Sequence, residues 1–150
     1  MFFSKEKIQS LVSAGEIQIT PYDPSLLKEG SYTFTLGNRG KILKSHESLD
    51  SRLNPEFENF ELSQEGYELK PGSFVLMYTN EKVTLNGKYL CLLGTRSTIA
   101  QMGLDVAQSS SIAEPSTNNC FILEITNNRP LPVRLFPGTK IAKGIFAQII

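Results

Sequence analysis

Short runs rich in β-branched and aromatic residues, each cut off by turn-forming residues within about a dozen positions, constrain this chain more than any other feature. The runs are Glu16 to Thr20, Ser31 to Leu36, Lys41 to Leu43, Tyr67 to Leu69, Phe74 to Tyr78, Lys82 to Leu85, Tyr89 to Leu93, Cys120 to Thr126, Val133 to Leu135 and Lys140 to Phe146. This spacing predicts an all-β sandwich, jelly roll or barrel. Two of the interruptions echo each other: Leu69-Lys70-Pro71-Gly72 leads into Ser73-Phe74-Val75-Leu76, and Leu135-Phe136-Pro137-Gly138 into Thr139-Lys140-Ile141-Ala142. Proline fixes φ at the second turn position and glycine accepts a positive φ at the third, so both read as type II turns entering strands. The echo suggests two similar halves of one domain.

Helices are few. Ser4 is suited to an N-cap, Ile8, Leu11 and Val12 recur at helical spacing, and Gly15 supplies a stop, which predicts one short amphipathic helix at the start. A second begins near Ser97, with Ile99, Ala100 and Met102 apolar and Gly103 as its end; one chain would struggle to cover it, so burial between subunits is expected. Ser45 to Gly66 is polar, acidic and without steady alternation, and reads as a long surface loop.

A length of 150 residues fits a single domain spanning 1–150, since such a chain buries roughly two thirds of its unfolded surface. Fifteen basic and fifteen acidic residues cancel, leaving no global field to hold duplex nucleic acid; a bound phosphate must be gripped locally. Cys91 and Cys120 sit in apolar runs suited to free thiols. No N-terminal run resembles a signal peptide and no stretch has the length to cross a bilayer, so a cytoplasmic protein without membrane contact is expected. His46 is the sole histidine and lies in a polar stretch, where it reads as a solvated loop residue. A zinc deaminase signature, a serine elbow, a P-loop and a dinucleotide fingerprint are all missing from the sequence.

The chemistry-bearing stretch is Gly94-Thr95-Arg96-Ser97-Thr98-Ile99-Ala100-Gln101-Met102-Gly103-Leu104, followed by a carboxylate, Glu124, within Phe121-Ile122-Leu123-Glu124-Ile125. An arginine followed by two hydroxyl residues at a helix start offers a guanidinium fork, two hydroxyls and free amides to phosphate oxygens. Partial desolvation of a carboxylate between Leu123 and Ile125 would favour proton shuttling. Plainer readings stay open: Glu124 could face solvent, Arg96 could be an interface ion-pair residue, Ser97 only an N-cap, and Glu114 an ordinary turn residue.

These residues resemble the dCTP deaminases and their relatives the trimeric dUTPases. Arg96 through Leu104 is similar to the deaminase motif Arg-Ser-Ser-Leu-Ala-Arg-Leu-Gly-Leu, and Glu124 falls at the catalytic glutamate. Gly30-Ser31-Tyr32-Thr33-Phe34-Thr35-Leu36-Gly37 resembles Ser-Tyr-Asp-Leu-x-Leu-Gly, and Leu135 through Ala142 resembles Leu-x-Pro-Gly-Met-Lys-Ile-Ala. The resemblance spans nearly the whole chain and implies a distorted jelly roll or β-barrel of the dUTPase type, assembled as a homotrimer with nucleotide sites between subunits. It further implies that Glu124 and Ser97 are catalytic, with Glu124 activating water against C4 of cytosine and Ser97 placing the water or the leaving amine. Arg96, Ser97, Thr98, Gln101, Ser110 and Glu114 would bind the nucleotide. The deamination would use no metal or other cofactor; Mg2+ is compatible as a companion of the triphosphate.

The chain departs from the family pattern at several places. Gln101 stands where the motif has its second arginine, which should weaken stabilisation of developing negative charge by several kcal/mol. Ala113-Glu114-Pro115-Ser116-Thr117-Asn118-Asn119 replaces Ile-Asp-Pro-Gly-Trp/Phe-x-Gly, and Thr33 replaces the aspartate after Ser-Tyr. Ser109, Ser110 and Ser111 offer hydroxyls where the family lines its pocket with backbone and small residues. The family's closing tail would follow the last strand, and the sequence given runs to Ile150. Hence either Ser45 to Gly66 serves as a lid or the site binds without catalysing. Three functions follow: deamination of dCTP or a modified dCTP; sequestration of a nucleotide or nucleotide-derived signal, or regulatory contact with a protein partner, by a catalytically degenerate member; and, more weakly, dUTP hydrolysis.

Overall fold

The computed structural model describes residues 1–44, 48–108 and 110–150; the readings made for His46 and Ser109 lie outside them. Its strands are β1 (Gln18–Thr20), β2 (Tyr32–Leu43), β3 (Phe57–Glu61), β4 (Tyr67–Leu69), β5 (Phe74–Thr84), β6 (Tyr89–Thr95), β7 (Leu104–Asp105), β8 (Ile112–Ala113), β9 (Asn118–Asn127), β10 (Val133–Leu135) and β11 (Lys140–Gln148). Helix α1 (Lys5–Ser13), a 3-10 turn at Pro24–Leu26 and the single turn α2 (Ser97–Ala100) complete them. The expected all-β class is what the chain forms.

Seven strands hydrogen-bond in the order β7-β9-β5-β2-β11-β6-β8, with β1 added to β5 and β3 to β2, giving a nine-stranded sheet; β10 and β4 form a separate ribbon. Every strand pairing is antiparallel. Both Pro-Gly turns have the expected geometry. Ser73 N–H donates to Lys70 C=O at 3.1 Å and Thr139 N–H to Phe136 C=O at 3.3 Å, with Gly72 at φ +70° and Gly138 at φ +83°. They launch β5 and β11, which flank β2 on either side.

Local signals placed α1 well. Ser4 accepts from Lys7 N–H at 3.3 Å, Ile8 and Leu11 are buried, and Gly15 takes a φ of +73° after the last turn. Several strand readings are corrected. The runs at Ser31 to Leu36 and Lys41 to Leu43 are one strand, β2, as are Phe74 to Tyr78 and Lys82 to Leu85 in β5, because a register shift lets each pass through its interruption. Ser45 to Gly66 is not wholly a loop, since β3 forms within it against Arg39 to Leu43 of β2. Its apolar residues, Phe57 and Phe60, are three apart and break the period of two. Neighbouring β2 supplies the ladder that the pattern does not announce.

The core lies on the inner face. Tyr32, Phe34, Met77, Leu123, Ile125 and Phe146 are all but fully buried, and Phe34 meets the ring edges of Tyr32 at 5.2 Å and Phe121 at 5.1 Å. Along β9 burial alternates, with Phe121, Leu123, Ile125 and Asn127 inward and Ile122, Glu124 and Thr126 outward. Period-two geometry therefore assigns Glu124 to the outer face.

Candidate functional site

Strand β6 ends at Thr95 and the chain turns at Arg96, whose backbone is extended (φ −61°, ψ 136°) and whose N–H donates to Ile141 C=O at 3.0 Å. Arg96 is thus the residue flanking α2, and Ser97 is its first helical residue. The helix starts at Ser97 as expected; the plainer reading of Ser97 as only an N-cap is not what forms, because the extended conformation that defines a cap falls one residue earlier, and the Ser97 side chain is exposed. Helix α2 is also shorter than the Ser97 to Met102 stretch. Gly103 at φ +83° ends the turn, and a Cβ there would lie 2.4 Å from Arg129 Cγ. Ile99 is buried, whereas Met102 is 48% exposed.

Arg96 Nη1 donates to Thr98 Oγ1 at 2.7 Å, which orients the guanidinium across the turn. The amides of Ser97 and Thr98, first in the helix, have no intrahelical acceptor. Gln101 is held by its backbone, N–H to Ser97 C=O at 2.9 Å, and its side chain is exposed.

Behind the turn is an anchor the sequence reading did not single out. Thr95 Oγ1 donates to Asp105 Oδ1 at 3.3 Å and accepts from Val106 N–H at 3.0 Å, and Asp105 Oδ1 also accepts from Ala107 N–H at 3.1 Å. Val106 C=O in turn accepts the Glu124 N–H at 3.0 Å. Val106 is therefore a backbone bridge between the Arg96 turn and β9. An aspartate two residues beyond Gly103, with Leu104 and Val106 on either side, was the available signal.

Glu124 is half-buried on the outer face of β9. Its Oε2 accepts from Ser110 N–H at 3.3 Å, and its Cα lies opposite Leu76, which in turn lies opposite Lys41, so the three form one cross-strand row. Ser110 and Glu114 meet in a groove of about 260 Å3 whose other walls include Leu93, Thr117, Phe121 and Ile122. Within one chain the predicted residues thus form two groups. Arg96, Ser97, Thr98 and Gln101 share the turn; Ser110 and Glu114 line the groove, and Glu124 is tied to it through the Ser110 amide. Thr117 and Asn119 also line the groove; the sequence showed them only as departures from the related motif, without a role for either.

Chemically, the first group presents a cation, hydroxyls and amides suited to an anionic oxygen cluster. The second presents carboxylates beside an apolar wall, suited to a ring with exchangeable protons. No helix among the described residues is long and apolar enough to cross a membrane.

Comparison with known proteins places the chain in a family. A family model described as dCTP deaminase-like matches residues 2–149. The dUMP-forming dCTP deaminase of Kocuria rhizophila is 28% identical over 99% of this chain and 80% of its own length, and that of Streptomyces griseus is 28% identical over 95% and 78%. Among solved structures, the 2'-deoxycytidine 5'-triphosphate deaminase of Agrobacterium tumefaciens superposes with a TM-score of 0.73 at 16% identity; it covers 99% of this chain, which spans about half of that one (48%). A dUTPase variant from phage phi11 of S. aureus gives 0.61 at 11% identity, covering 89% and 91%. With a dUTPase-like fold and a family match along nearly its entire length, the chain belongs to the dCTP deaminase-like family.

Proposed function

We propose that this protein binds a deoxycytidine nucleotide between subunits of a homotrimer and deaminates it. The observation carrying this reading is Glu124: a half-buried carboxylate on the outer face of β9, oriented by the Ser110 amide and joined through Val106 to a turn built for phosphate. Exposed Ile122, Phe74 and Ile112 surround that face with apolar surface, which assembly would cover. In the assembled site the Arg96-Ser97-Thr98 turn of one protomer holds the triphosphate, with any Mg2+ arriving as part of the substrate, and Glu124 of another faces the base.

The reaction is hydrolytic. Water attacks C4 of the cytosine ring while Glu124 accepts its proton; the new C–O bond forms, the carboxyl returns the proton to the amine, and the C4–N bond breaks to release ammonia. Ser97 places the water or the departing amine. The Kocuria and Streptomyces relatives named above are dUMP-forming, so the product is identified by mass, as the uracil triphosphate or monophosphate. Incubating purified protein with a panel of deoxynucleotides and signalling nucleotides, followed by mass spectrometry, tests the reading. A uracil product supports it, and every nucleotide recovered unchanged defeats it.

A second reading is favoured by Gln101, a neutral, exposed side chain where the related motif carries a cation. A member that lacks this charge could bind and sequester a nucleotide without turning it over, or contact a protein partner. Ligand recovered unaltered after denaturation of the complex is its signature. Hydrolysis of dUTP is the weaker third reading, because Glu114 is one methylene longer than the aspartate it replaces.

A further inference from the structure

We propose that Thr79, backed by Glu81, is a positioning residue that sets the wall of the groove from inside the sheet; the inference deepens the nucleotide reading and rests on it only for the ligand. Strands β5 and β9 pair in two registers, Tyr78 opposite Ile122 and then Lys82 opposite Cys120. Between them three residues of β5, Thr79, Asn80 and Glu81, confront one of β9, Phe121. Such a mismatch interrupts the ladder at Phe121.

Thr79 repairs it. Its hydroxyl, in a side chain 2% exposed, accepts from Phe121 N–H at 2.9 Å and donates to Glu81 C=O at 2.9 Å. Four steps along β5 and two along β9 both preserve side-chain parity, so Glu81 points inward like Met77 and Thr79. Glu81 as a whole is 2% exposed. Its carboxylate accepts from Thr35 N–H at 3.2 Å on Oε1 and 3.0 Å on Oε2, and from Thr35 Oγ1 at 2.7 Å on Oε1. The bulge is therefore fastened to β9 by a hydroxyl and to β2 by a carboxylate. Phe121, together with Cys120 and Ile122 beside it, lines the groove, and Glu124 follows on the same strand. Loosening the Thr79 link would move the groove wall and leave the Arg96 turn, anchored on Thr95, Asp105 and Ile141, in place.

The test compares Thr79→Val, which keeps the shape and deletes the hydroxyl, with Thr79→Ser, which keeps the hydroxyl. Two readouts need no nucleotide. Cys120 lines the groove, whereas Cys91 is buried with its thiol held well above the ordinary range by desolvation, so thiol labelling of the folded protein reports the groove wall. Labelling of Cys120 and hydrogen exchange at the Phe121 amide are each expected to accelerate about tenfold in Thr79→Val and to stay near wild type in Thr79→Ser. In the third readout dCTP affinity falls about tenfold in Thr79→Val while affinity for inorganic triphosphate is unchanged.

Unchanged labelling and exchange in Thr79→Val, or equal losses for dCTP and triphosphate, overturn the proposal. If Thr79→Val does not fold, the wild type decides: a Phe121 amide exchanging as slowly as the ladder-bonded amides of β9 supports the link, and exchange at loop rates overturns it. Failure of wild-type protein to bind dCTP would defeat the nucleotide reading alone, because the first two readouts still decide the role of Thr79.

Discussion

The bulge of β5 and the Arg96 turn are both interruptions of regular structure, and they are completed in opposite ways. At the bulge every polar group named finds its partner within the chain: Thr79 serves β9, Glu81 serves β2, and both are buried. At the turn the backbone is equally well fixed, by Ile141 on one side and the Thr95–Asp105–Val106 cluster on the other, yet the side chains of Ser97, Thr98 and Gln101 are left exposed. The difference separates scaffold from reagent. One interruption spends its hydrogen bonds on shape, and the other holds its shape so that hydrogen bonds remain to be given.

The comparison breaks most directly at the carboxylate. Replacing Glu124 by Gln should lower kcat by about a thousandfold or more while nucleotide affinity changes by less than about threefold, since the proton acceptor is lost and the side-chain shape kept. Steady-state kinetics beside calorimetric binding would check this, and retained turnover would place the chemistry elsewhere. Arg96→Ala should weaken triphosphate binding by about 10- to 100-fold through loss of charge-assisted bonds, with melting temperature nearly unmoved because the guanidinium's partner among the described residues is Thr98, within the same turn. A large fall in melting temperature would move Arg96 to the scaffold side.

Gln101→Arg sharpens the contrast in the other direction: returning the cation should raise kcat by about tenfold or more, and no gain would mean that the site compensates for its neutral amide. A smaller effect is expected at Glu81. Desolvation holds its carboxyl above the ordinary value of 4.5, against the lowering effect of the Thr35 hydrogen bonds. The folded state therefore binds this proton more readily than the unfolded chain. Its contribution to stability is fullest below the unfolded value and declines as pH rises toward the folded one. Glu81→Gln should remove that decline, seen as a flatter melting temperature between about pH 4 and 7; an unchanged slope would show that the group is not the source.

Local chemistry made much of this legible. Ser4 and Gly15 bracket α1, Pro71-Gly72 and Pro137-Gly138 bend as their residue types require, and the alternation from Phe121 to Ile125 leaves Glu124 on the face opposite the core. Features that depend on a distant partner were not legible. Strand β3 exists because β2 offers a ladder to Phe57 through Glu61, and nothing in its own polar pattern requires it. Glu81 reads as an ordinary surface residue between Asn80 and Lys82 until the double register of β5 turns it inward. At the site, residue types marked the Arg96 turn and Glu124 as candidates, while Thr95 and Asp105, through their side chains, and Val106, through its backbone, join them by contacts that no motif records. The helix start at Ser97 was legible, but its cap falls on Arg96, because a cap is defined by backbone conformation and Arg96 takes that conformation.

Gln101 is kept in place by its main chain, and its side chain is exposed. Natural variation can therefore sample this position without risking collapse of the molecule. On the proposed function, a lineage could exchange a working catalyst for a silent receptor, or reverse the exchange, by a single residue change, which makes the position a natural branch point among descendants of one ancestor.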